Sequence, residues 1–221
     1  GRAAEDTPFI QPLEWRLGGS LMLGGHIDYL TGPWQWRLGH ARIRFDHELP
    51  FDAFVESAYG LPNFIDAVPD MSVRDRWAAY TSLGAVYEDG PLQVQLMLNQ
   101  IDHDSAAYEN SRAGYAIASY RIGKFSPYLG YSRVKSAAAH IRADPASPYT
   151  AIARGLSSYT HSDQNTTFLG LRWDVRPGIA LKMQVDHIDA DPSSIFPYRE
   201  GVLNLWEGRM NVYSLALDFT F

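Results

Sequence analysis

Hydrophobic and polar residues alternate with a period of two along almost the whole chain, the spacing of β-strands whose two faces meet different surroundings. Tyr213, Leu215, Leu217, Phe219 and Phe221 fall on one face of the last segment, and Ser214, Ala216, Asp218 and Thr220 on the other. Ile179, Leu181, Met183 and Val185 alternate in the same way with Ala180, Lys182, Gln184 and Asp186. So do Leu92, Val94, Leu96 and Leu98 with Gln93, Gln95, Met97 and Asn99. Near the start, Leu21, Leu23, Ile27 and Tyr29 alternate with Ser20, Met22, His26 and Asp28. The pattern predicts about nine strands, near residues 18–30, 34–46, 75–88, 92–102, 113–122, 126–136, 165–175, 179–189 and 209–221.

The connections come in two sizes. Thr31-Gly32-Pro33, Glu88-Asp89-Gly90-Pro91, Gly123-Lys124 and Arg176-Pro177-Gly178 carry tight-turn chemistry. The stretches 47–74, 103–112, 137–164 and 190–208 are long and polar or mixed. Strand, short turn, strand, long loop is the order of an up-and-down membrane meander. The fold class expected is therefore all-β, a transmembrane antiparallel barrel, with residues 1–221 as one domain and 1–15 as a leading loop. Nine strands is an odd number, whereas bacterial single-chain barrels use even ones. Either part of the barrel is missing on the N-terminal side, or the leading segment or loop 137–164 hides one more strand.

Composition narrows the function classes. With 20% charged and 46% hydrophobic residues the chain is no disordered tail. The mean hydropathy of -0.24 does not oppose a barrel, because a strand shows lipid only at every second residue. No stretch approaches the ~18–20 apolar residues of a transmembrane helix, which excludes a helical membrane protein. The absence of cysteine excludes disulfide scaffolds, thiolate catalysis and Cys-based zinc sites. A net charge of -6 argues against a general nucleic-acid binder.

Aromatic residues gather beside the short turns: Trp34, Trp36, Tyr87 and Trp173, as in an interfacial girdle. The alternation of Tyr213, Leu215, Leu217 and Phe219 finishing in an aromatic Phe221 is typical of substrates of the barrel-assembly machinery. These five residues form the candidate assembly signal, and they point to the bacterial outer membrane.

The stretch Tyr120-Arg121-Ile122-Gly123-Lys124-Phe125-Ser126-Pro127-Tyr128 resembles a "Y-R-x-G-K-F-T-P-Y" hairpin of a family of porin-like Gram-negative outer-membrane proteins. Leu171-Arg172-Trp173-Asp174 followed by Ala180-Leu181-Lys182-Met183-Gln184-Val185-Asp186-His187 is similar to that family's "V-R-W-D…A-L-K-L-Q-Y-D-H" hairpin. Residues Asn211 to Phe221 resemble its last strand. The resemblance implies a barrel of about sixteen strands, with this chain supplying the C-terminal half. It also implies passive diffusion of small solutes, with no catalytic residues to carry over.

In such a channel the chemistry is the charge pattern of the inner wall. Alternation assigns His26, Asp28, His40, Arg42, Arg44, Glu88, Gln93, Gln95, Asn99, Arg172, Asp174, Lys182, Gln184, Asp186 and Asp218 to that wall. Arg42, Arg44, Arg172 and Lys182 form a possible basic ladder, opposed by Asp28, Asp174 and Asp186, which would set a transverse field across the pore. The plain alternative is a set of mutually paired residues indifferent to solute. Alternation leaves the direction of Arg133 and Lys135 open. Loop 47–74 is unusually apolar, and either folds inward to constrict the pore, packs on a neighbouring protomer, or caps the rim with a short helix.

Enzyme chemistry is not expected. His161 and Ser162 are adjacent, but no elbow motif accompanies them, and chance adjacency explains the pair. Asp186 and His187 point to opposite faces of a strand, so they do not share a metal ion. No cofactor or metal is expected. The expected function is a porin for small hydrophilic solutes. The alternatives are a small barrel binding an apolar ligand, or a structural barrel without an open pore. Expected partners are outer-membrane lipid and lipopolysaccharide, the assembly machinery, the solutes and, by analogy with porins of this size, two further copies in a homotrimer.

Overall fold

The computed structural model describes residues 18–194 and 207–220. Nine strands form one antiparallel sheet in sequence order: β1 Leu21–Thr31, β2 Trp34–Arg44, β3 Trp77–Asp89, β4 Leu92–His103, β5 Asn110–Tyr120, β6 Phe125–Ala137, β7 Asp163–Arg176, β8 Ile179–Ala190 and β9 Arg209–Phe219. All nine coincide with the segments of two-residue periodicity. Every strand pairs with its chain neighbour, the arrangement with the smallest loop-closure entropy cost for alternating segments.

The short turns make this register. Gly32 and Gly90 open two-residue turns at φ +54° and +56°, a left-handed backbone that matches the twist of a hairpin and that side chains oppose. The hairpins are staggered in one sense. Trp34 faces Tyr87 while β3 runs on to Asp89, and Phe125 faces Trp173 while β7 runs on to Arg176. A stagger of constant sense is what tilts strands around a barrel axis. The last turn of β7 adds a bulge between Asp174 and Arg176.

The sheet is open, with β1 and β9 as its edges among the described residues. Seven alternating strands separate them, so β1 and β9 run in the same direction. They cannot pair with each other antiparallel. Closure of an antiparallel barrel needs an odd number of further strands.

Among the described residues no second layer packs on this sheet. Leu98, Leu129 and Leu169 lie on interior strands, yet they are 62%, 62% and 59% exposed. The buried apolar cluster lies instead at the long-loop end: Leu49, Val55, Phe64, Val68, Met71, Val73, Ala106, Ala107 and Ala153. Loop 47–74 folds into helix α1 Phe51–Tyr59, a helical turn α2 Phe64–Ala67 and a 3-10 turn Pro69–Met71. Gly60, at φ 68°, ends α1 in a left-handed cap. The Glu48 carboxylate accepts from Ser72 Oγ at 2.6 Å and from the Val73 N–H at 2.7 Å, tying the two ends of this loop together.

Loop 137–164, expected as a polar connection, contains helix α3 Pro148–Ser157, which packs Ala153 into the same cluster. Ser157 Oγ donates to the Ala106 carbonyl, and Tyr149 Oη to the Pro62 carbonyl at 3.0 Å. Loop 47–74 thus associates with the two loops beside it, which is closest to the expectation of a helix at the rim.

One ion pair locks this association. The Arg142 guanidinium donates to Asp70 Oδ1 at 2.8 Å and the Arg142 backbone N–H to Oδ2 at 2.8 Å. These bonds hold the Asp70 carboxyl below the usual carboxylate range. A lowered folded pKa stabilises above the unfolded value, about 3.9, and that stabilisation is lost as pH falls through the folded value. Protection factors in residues 47–74 and 138–162, referenced to the intrinsic exchange rate at each pH, should therefore fall below about pH 4, before those of the sheet. The Asp70→Asn variant should show fast exchange there at neutral pH and less further change on acidification.

Candidate functional site: the inner face of the sheet

Directly paired residues of adjacent strands project to the same side, so the register gives every side chain a face. One row runs Asp28, Arg37, Gly84, Met97, Tyr115, Ser132, Thr166, Ile188, Met210 across all nine strands. Side chains on this face of β6 and β7 are buried or half-buried, whereas Leu129, Leu169 and Trp173 on the opposite face are exposed. A curved sheet shields its concave side, so the first face is the inner one.

The inner face holds most of the polar residues that alternation placed there: His26 and Asp28 on β1, Glu88 on β3, Gln93, Gln95 and Asn99 on β4, Arg172 and Asp174 on β7, Lys182, Gln184 and Asp186 on β8, and Asp218 on β9. Three assignments are corrected. His40, Arg42 and Arg44 pair with Gly25, Leu23 and Leu21, on the outer, apolar face. They share the parity of Trp34, Trp36 and Leu38, and continue that face beyond its apolar part. Arg42 lies 4.5 Å over the Trp77 ring, a cation–π contact, rather than over the lumen side. Arg133 and Lys135, left open by alternation, also face outward, in phase with Leu129 and Tyr131.

Most of the inner-face charges are compensated in two clusters, of which Glu88 and Asp186 are not members. Arg37 donates to both Asp28 oxygens, at 2.6 and 2.8 Å, a bidentate pair that His26 approaches to 3.7 Å. In the second cluster Arg172 Nε lies 2.8 Å from Asp174 and Arg172 Nη1 3.6 Å from Asp218, while Lys182 Nζ is 2.6 Å from Asp218. Cations and carboxylates therefore interleave, and opposed ladders do not form. Arg37 was missed by the sequence reading, although its parity against Trp34 and Trp36 was available.

Neutral donors and acceptors fill the space between the clusters. Tyr128 Oη donates to Gln184 Oε1 at 2.8 Å, and Gln184 Nε2 donates to Asp186 Oδ1 at 2.8 Å. Tyr80 Oη donates to Asn99 Oδ1 at 2.6 Å. At the short-turn end Tyr128 and Gln184 border a concavity of about 610 Å³ that reaches from Glu88 and Gln93 to Lys182. Residues from nonadjacent strands line it because the sheet curves around it. The Tyr128 ring lies over Gly170, where any Cβ would collide with it, so that glycine is what admits the aromatic to the wall. Such a wall offers hydrogen bonds and alternating charge to a hydrated solute.

Two further sequence features resolve differently. Asp186 faces inward, while His187 faces outward and meets Asn211 Oδ1 at 2.9 Å. His161 Nδ1 lies 2.7 Å from Glu109 Oε2, in the loop cluster.

On the outer face, Tyr213, Leu215, Leu217 and Phe219 align with Val185, Met183, Leu181 and Ile179. Phe221 lies outside the described residues. Trp34 stacks on Trp36 at 5.3 Å and meets Tyr87 at 4.9 Å, and Phe125 stacks on Trp173 at 5.9 Å, all at the short-turn edge of this face. A sheet with an apolar outer face, an aromatic edge and a polar inner face defines the class of up-and-down antiparallel barrel walls.

No protein-family description matches the chain, and no curated protein sequence does. Among solved structures it is similar to an anion-selective porin from Comamonas acidovorans (16% identity, TM-score 0.47, covering 77% of this chain and 39% of that one). It is also similar to the outer-membrane expressed OmpT of Vibrio cholerae (11% identity, TM-score 0.47, covering 77% of this chain and 46% of that one). The chain thus spans less than half the length of each.

The register is directly testable. A double-mutant cycle of Asp28→Ala with Arg37→Ala should give a favourable coupling, and the cycle of Asp28→Ala with Arg42→Ala none. Coupling of Asp28 to Arg42 would place Arg42 on the inner face and overturn the assignment.

Proposed function

We propose that this chain forms a large part of the wall of an outer-membrane channel through which small hydrophilic solutes diffuse passively. One observation carries the reading: an uncovered apolar band crosses the outer face of the sheet on every described strand. Leu92 to Leu98 alone spans about 20 Å along β4 at ~3.3 Å per residue, close to the ~25 Å band of a membrane barrel. Uncovered apolar surface of this extent in water would drive association, whereas lipid accepts it. Seven more strands would satisfy the odd number that closure requires and give the sixteen suggested by the family resemblance.

A small barrel binding an apolar ligand fits less well, since its apolar residues would face inward. The associated loops at one end favour a second reading, a barrel whose long-loop end is obstructed. In either reading the partners are the membrane lipid, the assembly machinery and, by analogy, further copies in a trimer. No catalytic step or cofactor is invoked.

Purified protein should require detergent and should give discrete conductance steps in planar bilayers. Full solubility at high concentration without detergent would overturn the membrane reading, and folded, inserted protein without conductance would favour the obstructed barrel. Asp218 balances both Lys182 and Arg172. The Asp218→Asn channel should therefore show a reversal potential in a KCl gradient displaced toward that of chloride, and an unchanged potential would remove this cluster from the conduction path.

A further inference from the structure

The outer face changes character at the long-loop edge of its apolar band. There Arg112 on β5 pairs with Lys135 on β6, and Gly114 pairs with Arg133 one row nearer the band. The next row holds Ala116 and Tyr131, and the one after it Ala118 and Leu129, so the floor between β4 and β6 is made of small residues. The result is a shallow groove of about 540 Å³ with Leu96, Leu98, Ala116 and Tyr131 at its apolar end and Arg112, Arg133 and Lys135 at the other. Gly114 keeps its floor low: a Cβ there would stand 2.8 Å from the Leu98 side chain.

The three cations outnumber the acid that serves them. Asp163 lies 2.9 Å from Arg133 and 3.8 Å from Lys135, while Arg112 has no ion pair among the described residues. Asp102, the other nearby carboxylate of this face, is held by Gln100 Nε2 at 2.7 Å. Positive charge in excess of its local acids, placed where an apolar groove meets polar surface, matches a ligand with acyl chains and more than one phosphate.

We propose that this groove binds a diphosphorylated, multiply acylated glycolipid, its acyl chains over Ala116 and Ala118 and a phosphate among Arg112, Arg133 and Lys135. The proposal rests on the outer face meeting lipid. The long-loop edge is the one that outer-membrane barrels turn to the outer leaflet, and three cations on two adjacent strands suit a headgroup more highly charged than a simple phospholipid's.

Native mass spectrometry of the detergent-solubilised protein tests it, with diphosphoryl lipid A, its monophosphoryl form and phosphatidylglycerol as probes. The wild-type protein should retain diphosphoryl lipid A in preference to both others. The combined variant Arg112→Ala, Arg133→Ala, Lys135→Ala should lose at least about tenfold in retention. Ala116→Trp, which fills the apolar end without touching charge, should lose a similar factor. Arg42→Ala, a cation of the same face three strands from Arg112, should retain wild-type binding. Each variant is first checked for the heat-dependent gel shift of a folded barrel, and Arg112→Lys should keep binding.

Wild-type retention by the triple variant, or equal retention of phosphatidylglycerol and lipid A, would overturn the proposal. Conductance separates the two readings. Unchanged channels in the triple variant with lost lipid support both, and kept lipid with no conductance in the wild type would overturn the channel reading while sparing the site.

Discussion

A sheet that turns its apolar side chains outward has no core to hold it, so its backbone hydrogen bonds must be satisfied within the ladder itself. In hydrocarbon each unpaired N–H or C=O costs several kcal/mol, and only helices or closed sheets escape that cost. Every interior strand here is paired on both sides along ten or more residues. Among the described residues the edges of β1 and β9 remain unpaired, and closing the sheet into a barrel would give each an antiparallel partner. The requirement for an odd number of further strands follows from strand direction alone.

The same ladder decides the chemistry of both faces. Because paired residues share a side, the inner wall collects Asp28 with Arg37, and Asp174, Asp218, Arg172 and Lys182 as a second group. Neighbouring opposite charges cancel within a few ångströms, so the wall carries local fields rather than one long-range gradient. The outer face is graded along the strand instead. It passes from aromatic residues at the short turns, through leucine, to arginine and lysine at the long-loop edge.

The long loops obey ordinary globular rules. Their core of Val55, Phe64, Val68 and Met71 is fully buried, and polar ties from Glu48, Asp70 and Ser157 fix its members. Buried donors and acceptors there are paired by side chains because no regular ladder supplies partners. Apolar residues in loop 47–74 therefore serve a local core, and the period-two logic of the strands does not apply to them.

Residue order by itself determined the strands, the turns and most of the inner wall. Period-two alternation and tight-turn chemistry are local properties, and the strand ladder in sequence order leaves little for distant contacts to alter. His40, Arg42 and Arg44 went to the wrong face because polarity was taken as the guide where parity with Trp34 and Trp36 was the stricter one. Polar residues are admitted on the outer face once a strand leaves the apolar band, and only the register shows where that happens. The pairing of Arg37 with Asp28, the joining of loops around Val55 and Ala153, and the groove beside Gly114 were decided by tertiary structure. Each depends on which side chains from separate strands or loops come within a few ångströms, a distance that spacing along one chain does not encode.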